Sequence, residues 1–465
     1  MAFTRRTAMA LVVAAALFME ILDATIITTA LPLIARDFGV PASHLSSGIA
    51  AYLVAVTIFI PVSGYLADRF GPRNIFACAI IIFAVASVFC AVSDSLSTFT
   101  LARCLQGAGG ALMVPVGRLV VIRDLPKEKL MNAIAILTWP ALGAPLLGPV
   151  LGGWIAETWG WPWIFLINIP VSIVVLVVSW QLLPGHRHPQ SRFDWQGFAL
   201  AGSGFGLFMA GLESLSTGIE HLAVPVLVAG SGAFLLVVAT RHMLTQKHAL
   251  LSLTAMHYKT YRHTVLEASA IRIVISGAPF LIPLQLQLTM GYSPLEAGTL
   301  MLWLFAGNIA VKPLTTGLMR LCGFRILLST NALLIAMGYI ALGMCNSDTT
   351  GFILACVLFL NGVFRSVHLT ALNTLCFADI PQPHMRDANT LNAVLMQMNR
   401  GLGITVAALT LSTCAVLLED AIEAPSSLTF TLTYTMIAAV ALLAAANSWR
   451  LSSQAGAAVL QKAPQ

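Results

Sequence analysis

Residues 64–73 read GYLADRFGPR, and residues 316–325 repeat the pattern as TGLMRLCGFR. A second pair of segments, LQG at 105–107 and LNG at 360–362, follows at a comparable distance. The first pair falls between the second and third apolar runs of each part of the chain, and the second pair falls within the fourth run of each part. The repetition predicts two related halves, each built from about six apolar segments.

The composition indicates whether these segments lie in water or in a membrane. Only 9% of the 465 residues are charged and 58% are hydrophobic, whereas soluble domains carry about 25% charged residues. The apolar runs reach about 20 residues, the length of a membrane-spanning helix, and lack the ten-residue alternation of a β-barrel. The sequence therefore predicts an all-α polytopic membrane protein. It shows no motif of a hydrolase, metalloprotease or nucleotide-binding enzyme and no cysteine or histidine spacing for a metal.

The apolar runs give fourteen predicted spans. They lie near residues 9–34, 45–66, 74–93, 96–120, 130–156, 163–183, 196–213, 222–242, 262–288, 295–318, 325–345, 351–376, 388–415 and 428–448. The predicted organisation is an N-terminal six-helix bundle (1–185), a two-helix insert with its linkers (186–250), a C-terminal six-helix bundle (251–450) and a tail (451–465).

The loop charges predict the orientation, since lysine and arginine collect on the cytoplasmic side. Alternate loops are basic, whereas the loops between them hold only Arg36 as a base among several acids. Both termini are therefore expected in the cytoplasm. The same asymmetry accounts for the net charge of +6, so nucleic acid is not an expected partner.

Two glycine-containing motifs are predicted to serve gating. In the 64–73 segment, Gly64 and Gly71 allow a sharp turn and close helix approach, while Asp68 can pair with an arginine such as Arg69 or Arg73. Such a charge pair between the halves could break and re-form. The second motif is GAPLLGPVLGG at 143–153; Gly148, Pro149, Gly152 and Gly153 permit close packing and bending of one helix.

Together these motifs resemble the major facilitator superfamily, and within it the fourteen-span drug:proton antiporter-2 branch. The matching segments are LDATIITTALP (22–32), LARCLQG (101–107), the 143–153 motif, WPWIFLINIP (161–170) and FDWQG (193–197). The resemblance implies the major facilitator fold with two extra central helices, residence in the cytoplasmic (inner) membrane, and alternating access. It further implies efflux driven by inward proton flow, without a cofactor, by a functional monomer. One departure is Arg320, which stands where the first repeat has Asp68.

Charged residues inside spans point to the chemistry, since each costs roughly 2.5–3.5 kcal/mol at mid-bilayer unless it faces a cavity or a partner. Glu20 and Asp23 lie three residues apart on one helix face. We expect Asp23 to couple transport to protons, with Arg103 competing with the proton for it and Glu20 as a second acid. The alternative is a static Asp23–Arg103 bridge that holds the N-terminal half together.

The remaining polar residues inside spans are predicted to bind substrate. Asn361, Arg365 and His368 follow each other at steps of four and three and so share one helix stripe. The full predicted set is Arg118, Arg272, Lys312, Asn361, Arg365, His368 and Arg400. Guanidinium groups suit carboxylates and phosphates, which favours an organic acid, a carboxylate-type metal chelate or siderophore, or an anionic drug.

Four alternatives remain open from the sequence. The arginines could instead bind loop carbonyls or helix C-termini. The substrate could be a lipophilic cation, as for other multidrug exporters. The same scaffold could serve an importer or facilitator, or a membrane receptor that transports nothing.

Overall fold

The computed structural model describes residues 5–122, 127–183, 193–217, 222–246, 249–421, 425–452 and 455–456. These residues form helices joined by short turns, with no strand among them. The helices are α1 (Arg5–Ile26), α2 (Leu31–Phe38), α3 (Ser46–Phe70), α4 (Pro72–Ala91), α5 (Leu96–Ile122), α6 (Lys127–Thr158), α7 (Trp163–Leu166), α8 (Asn168–Leu182), α9 (Trp195–Thr217), α10 (Ala223–Thr245), α11 (Lys259–Leu288), α12 (Pro294–Ala310), α13 (Lys312–Met344), α14 (Gly351–Ala378), α15 (Met385–Leu417) and α16 (Ser427–Ser448). Residues 186–192, the start of the predicted insert with its linkers, and most of the predicted tail at 451–465 lie outside the described residues.

In the described residues, twelve helical segments are long and apolar enough to cross a membrane. They correspond to twelve of the predicted spans and confirm a multi-pass all-helical protein. Of the other two predicted spans, the fifth corresponds to α6 with 32 residues. The tenth corresponds to α12 with 17 residues and continues past the break at Val311 into the start of α13.

The first and sixth predicted spans are not continuous α-helices. The 9–34 span breaks after Ile26 into a 3-10 turn, Ile27–Thr29, and α2 then begins with Pro32 in its first turn. At this break Thr29 Oγ1 donates to the carbonyl of Pro149 at 3.1 Å. The 163–183 span divides at Ile167 between α7 and α8. The continuous-helix prediction failed there because close contacts and prolines, rather than hydropathy, decide where a helix is interrupted.

The repeated 64–73 and 316–325 segments adopt matching turns. Gly71 has φ 90° between α3 and α4, and Gly323 has φ 69° at a break within α13. Both values fall where side chains other than glycine are strained. The second and third segments of each half are therefore joined in the same way.

The 143–153 motif brings α6 against helices of both halves. A Cβ atom at Gly148 or Gly152 would collide with Thr25 and with the carbonyl of Ile26 in α1, respectively. A Cβ at Gly153 would collide with the carbonyl of Pro294 at the start of α12. Glycine is required at these positions because the α6 backbone lies against backbone carbonyls at Gly152 and Gly153 and against the Thr25 side chain at Gly148.

The insert, α9 and α10, packs as a helix pair against α3 and α15. Asp194 connects the start of α9 to the end of α10 and to the segment that follows. It accepts hydrogen bonds from the backbone N–H of Gly197 (2.8 Å), from His242 (2.9 Å) and from the backbone N–H of Leu250 (3.0 Å). Burial alone would raise the pKa of the Asp194 carboxyl, but these hydrogen bonds outweigh it and lower that pKa below its ordinary value.

We expect Gly152→Ala to lower the thermal stability of the protein, because its Cβ meets the backbone of α1 and overpacking costs about 1–3 kcal/mol. Gly143→Ala is the matched control, since it lies in the same helix and its Cβ meets nothing within 4 Å. The melting temperatures of both variants in detergent would be compared with the wild type. Equal melting temperatures for the two variants would contradict the close approach of α6 and α1.

Candidate functional site

Asp23 lies at the centre of a buried polar cluster in the N-terminal half. Arg103 NH1 donates to its Oδ2 at 2.6 Å, and the amides of Gln106 and Asn168 donate to its Oδ1 at 2.8 and 2.7 Å. Gln106 also donates to Ser87 Oγ at 2.8 Å. The cluster therefore links α1, α4, α5 and α8.

The ion pair of this cluster is sealed from solvent. Asp23 is 1% exposed and Arg103 is 0% exposed. The guanidinium of Arg103 lies over the ring of Tyr52 with 4.5 Å to its centroid, and 5.8 Å from the ring centre of Phe165. Aromatic faces thus complete the surroundings of the positive charge. This geometry agrees with the static bridge that the sequence left open.

Glu20 lies one turn from Asp23 but has different neighbours. Its Oε1 accepts a long hydrogen bond of 3.4 Å from Tyr52 Oη. It lies within electrostatic range of Arg118 on α5 and Arg400 on α15. Glu20 is only half-buried, so this carboxylate faces the space between the two halves.

The two arginines near Glu20 are both exposed. Arg400 lies about midway along α15, whereas Arg118 lies about one turn from the end of α5. Arg400 NH1 donates to Gln397 Oε1 at 3.0 Å on its own helix. Arg400 is also in electrostatic range of Arg272 and Arg365. An exposed guanidinium in the interior of a bundle marks a solvent-accessible cavity, and we call the group formed by Glu20, Arg118, Arg365 and Arg400 the arginine cavity.

Arg365 is the member of the arginine cavity with unused donors. Its Nε and NH1 atoms are buried and have no hydrogen-bond partner. Together with Tyr339 and Asn361 it borders a void of about 10 Å³, room for one water molecule. A buried donor without an acceptor is costly. In the arrangement seen here the void can supply one water molecule as the acceptor, and an anion would reach Arg365 only if the void widened.

Three other predicted substrate residues are occupied or distant. Arg272 donates to the side-chain carbonyls of Asn392 (3.1 Å) and Asn373 (2.7 Å). The Asn361 amide donates to backbone carbonyls of α13 and of its own helix, at 3.1 and 2.9 Å. Lys312 is exposed at the first residue of α13. These side chains hold helices together or face outward.

His368 corrects the predicted stripe. It is 0% exposed, its Nε2 lies 3.7 Å from Glu267 Oε1, and neither ring nitrogen has a hydrogen-bond partner. Ser448 Oγ donates to the same Glu267 oxygen. Steps of three and four do place Arg365 and His368 on one side of α14. Because other helices enclose α14 on more than one side, however, His368 packs between α11 and α16 while Arg365 borders the void.

The predicted gating residues fall at opposite ends of the bundle. At the Gly71 end, Asp68 lies in the last turn of α3, Arg69 NH1 donates to Tyr65 Oη at 2.8 Å, and Arg73 stacks on Trp180 at 4.8 Å. Gly64 has open space around its Cβ position. The glycines of α6 lie toward the other end.

Two hydrogen bonds cross directly between the halves at that other end. Gln287 Nε2 donates to the carbonyl of Thr29 at 3.1 Å, and the backbone N–H of Leu295 donates to Glu157 Oε1 at 2.7 Å. With the α6–α12 contact at Gly153, they close this end of the bundle.

Sequence reasoning gave no role to four polar residues that the structure makes important. Gln106, Asn168 and Ser87 complete the Asp23 cluster, and Glu213 on α9 binds side chains of both halves. Gln106 and Asn168 belong to quoted motifs, and Glu213 is an acid at the end of an apolar run, so a signal was present for three of them.

Comparison with known proteins gives one consistent answer. A family model described as Major Facilitator Superfamily matches residues 13–408. The "Putative multidrug resistance protein MdtD" of Escherichia coli (strain SMS-3-5 / SECEC) is 38% identical over 403 residues, covering 86% of this chain and 85% of that protein. Among solved structures, an auto-inhibited POT family peptide transporter superposes with a TM-score of 0.68 at 16% identity, covering 96% of each chain. A D-xylose–proton symporter gives 0.67 at 14% identity, covering 97% of this chain and 99% of that one.

We expect Asp23→Ala to destabilise the protein strongly, because Arg103 would be left as a buried unpaired charge, a loss of about 3–5 kcal/mol. Asp348→Ala, at an exposed turn, serves as the control. Unfolding would be followed by tryptophan fluorescence in denaturant. A stability of Asp23→Ala equal to that of the control would show that the cluster does not hold the N-terminal half together.

Proposed function

The chain belongs to the major facilitator superfamily, and we propose that it is a proton-coupled exporter of small organic molecules that carry an anionic group. Membership makes it a multi-pass transporter of the cytoplasmic membrane and not an enzyme. Proton coupling, the direction of transport and the charge of the substrate are the proposed parts.

The proposed topology has fourteen spans with both termini in the cytoplasm. At about 1.5 Å per residue, the 17 residues of α12 extend about 26 Å, close to the thickness of a bilayer core. Helix α12 also packs along α6 and α14, as a span of the same bundle would. In this orientation the closed end at Gly153 and Leu295 faces outward, and the arginine cavity opens toward the cytoplasm.

The proposed substrate class rests on the two unpartnered donors of Arg365, Nε and NH1. Arg400 and Arg118 add exposed positive charge nearby, against one carboxylate, Glu20. Guanidinium groups bind carboxylate or phosphate oxygens through paired hydrogen bonds. A small organic acid or a carboxylate-bearing chelate therefore complements this cavity.

Glu20 is better placed than Asp23 to carry the transported proton. Asp23 is saturated by three donors from its own half and is sealed from solvent. Glu20 has one long hydrogen bond and faces an arginine of the opposite half. We therefore propose that Glu20 binds and releases the transported proton, while the Asp23–Arg103 pair holds the helices of the N-terminal half together.

A second candidate function is export of lipophilic cations, and Glu20 is the observation that favours it. A cation and a proton would compete for this carboxylate, which is the relation an antiporter requires. An anion on Arg118 and Arg400 would instead displace Glu20 and favour its protonation, so that through Glu20 an anion would leave together with a proton and not in exchange for one. The sign of the proton exchange on binding thus separates the two substrate classes.

We expect Arg365→Ala and Arg400→Ala to weaken binding of organic acids and metal chelates by about tenfold or more, the effect of losing a hydrogen bond to a charged group. Arg241→Ala, an exposed arginine on the insert, is the matched control. Binding would be measured as ligand-induced thermal stabilisation of the purified protein, since a ligand stabilises the folded state by mass action. Variants that keep binding organic acids but lose cationic dyes would refute the anionic assignment.

We expect binding of an anionic ligand to take up protons from a weakly buffered solution, and binding of a cationic ligand to release them. Glu20→Gln should abolish either exchange, because the amide cannot titrate. Asp23→Asn should preserve the exchange on binding. Exchange that persists in Glu20→Gln and disappears in Asp23→Asn would restore Asp23 as the proton carrier.

A further inference from the structure

Glu213 connects three parts of the molecule. It lies on α9 of the insert, about one turn from the end of that helix. Its Oε1 accepts a hydrogen bond of 2.5 Å from Ser46 Oγ, and its Oε2 accepts one of 3.2 Å from Thr405 Oγ1. Ser46 is the first residue of α3 in the N-terminal half, and Thr405 lies within α15 of the C-terminal half.

Both hydroxyl groups are directed to this carboxylate. Ser46 and Thr405 are each 0% exposed, so they require a partner inside the protein. Elsewhere on α15, Thr410 and Thr413 donate to carbonyls of their own helix at 2.7 Å. Since a hydroxyl has one proton to donate, two hydroxyls on two different oxygens fit an ionised carboxylate.

The charge of Glu213 is held without an ion pair in the described residues. On the elements packed against α9, the charged residues Asp68, Arg69, Arg241, His242, Arg386 and Asp387 lie at the helix ends opposite Glu213, and Tyr52 donates to Glu20. The groups nearer to the Glu213 end are His44, in the turn before α3, and Arg400 on α15. His44 Nε2 is buried without a hydrogen-bond partner, and Arg400 is directed toward Glu20 and Gln397. The two hydroxyls are thus the hydrogen-bond donors that the structure gives this carboxylate.

The bridge crosses the boundary that must open during transport. Helices α3 and α15 pack together and belong to opposite halves. Ser46 lies at the same end of the bundle at which the hydrogen bonds of Gln287 and Glu157 join the two halves. If the halves separate there, Glu213 cannot keep both hydrogen bonds.

We propose that Glu213 is a gating residue, through which the insert ties Ser46 to Thr405 and holds the outer end of the transporter closed. This inference rests on the alternating access of the proposed function, but not on the charge of the substrate. Opening leaves the carboxylate without one of its donors, and a proton from outside compensates for that loss. Acidification therefore favours the outward-open state.

The test measures the conformational equilibrium directly in the absence of substrate. Spin labels at Val92 and Met344, exposed at the outer ends of α4 and α13, would report the separation of the halves after replacement of the exposed cysteines. We expect Glu213→Ala to raise the ratio of open to closed molecules about tenfold or more, as expected for loss of hydrogen bonds to a charged group.

Variants of the two donors test the bridge without changing the acid. Ser46→Ala and Thr405→Ala should each shift the ratio in the same direction, and neither should add its full effect to Glu213→Ala. Ser47→Ala and Thr410→Ala are the matched controls, because Ser47 bonds only residues of its own half and Thr410 its own helix. Both controls should keep the wild-type ratio.

The isosteric variant Glu213→Gln tests the charge and protects against misfolding of the alanine variant. The wild-type ratio should rise as the pH is lowered, and this response should be lost in Glu213→Gln. A wild-type distance distribution in Glu213→Ala, full additivity of the donor variants, or an unchanged pH response in Glu213→Gln would each overturn the proposal. Because no substrate is present, these outcomes do not depend on whether the arginine cavity binds anions.

Discussion

Charge buried in an apolar surrounding is the constraint on which the structure depends, and the Asp23–Arg103 pair is its clearest expression. Neither ion could be buried alone without a cost of several kcal/mol. Their 2.6 Å contact, completed by Gln106 and Asn168, obliges α1, α5 and α8 to keep one arrangement, with Ser87 adding α4. The N-terminal half therefore behaves as one body, and motion must occur at its boundary with the C-terminal half.

The C-terminal half meets the same constraint in a different way. Arg272 is solvated by the neutral side chains of Asn373 and Asn392, whereas Arg365 keeps unsatisfied donors and Arg400 remains exposed. Positive charge is thus stabilised on this side without being neutralised. Glu20 faces these arginines from the N-terminal half. The boundary between the halves is therefore a positively charged space that contains one carboxylate, and this excess of positive charge determines which ligands it can bind.

The sequence was sufficient for the all-helical membrane class, the repeat and the turns, because hydropathy and glycine act locally. Gly71 and Gly323 adopt positive φ at the two repeated positions. It was insufficient for the neighbours of each side chain. His368 and Arg365 share a stripe on α14, yet one contacts Glu267 and the other borders a void. The order in which the helices pack decides this difference. The same packing order brings Gln106 and Asn168 into hydrogen-bond contact with Asp23 and leaves Lys312 exposed.

The origin of its partners determines whether a buried acid can couple protons to movement. Asp23 receives its hydrogen bonds from the N-terminal half alone, so rotation of the halves as bodies leaves these hydrogen bonds unchanged. Glu20 faces Arg400 across the boundary, and Glu213 is bound to both halves at once. Their proton affinities must change when the boundary opens, and by linkage a change in protonation must then shift the boundary. Coupling therefore belongs to acids whose partners lie across the boundary, not to the most deeply buried acid.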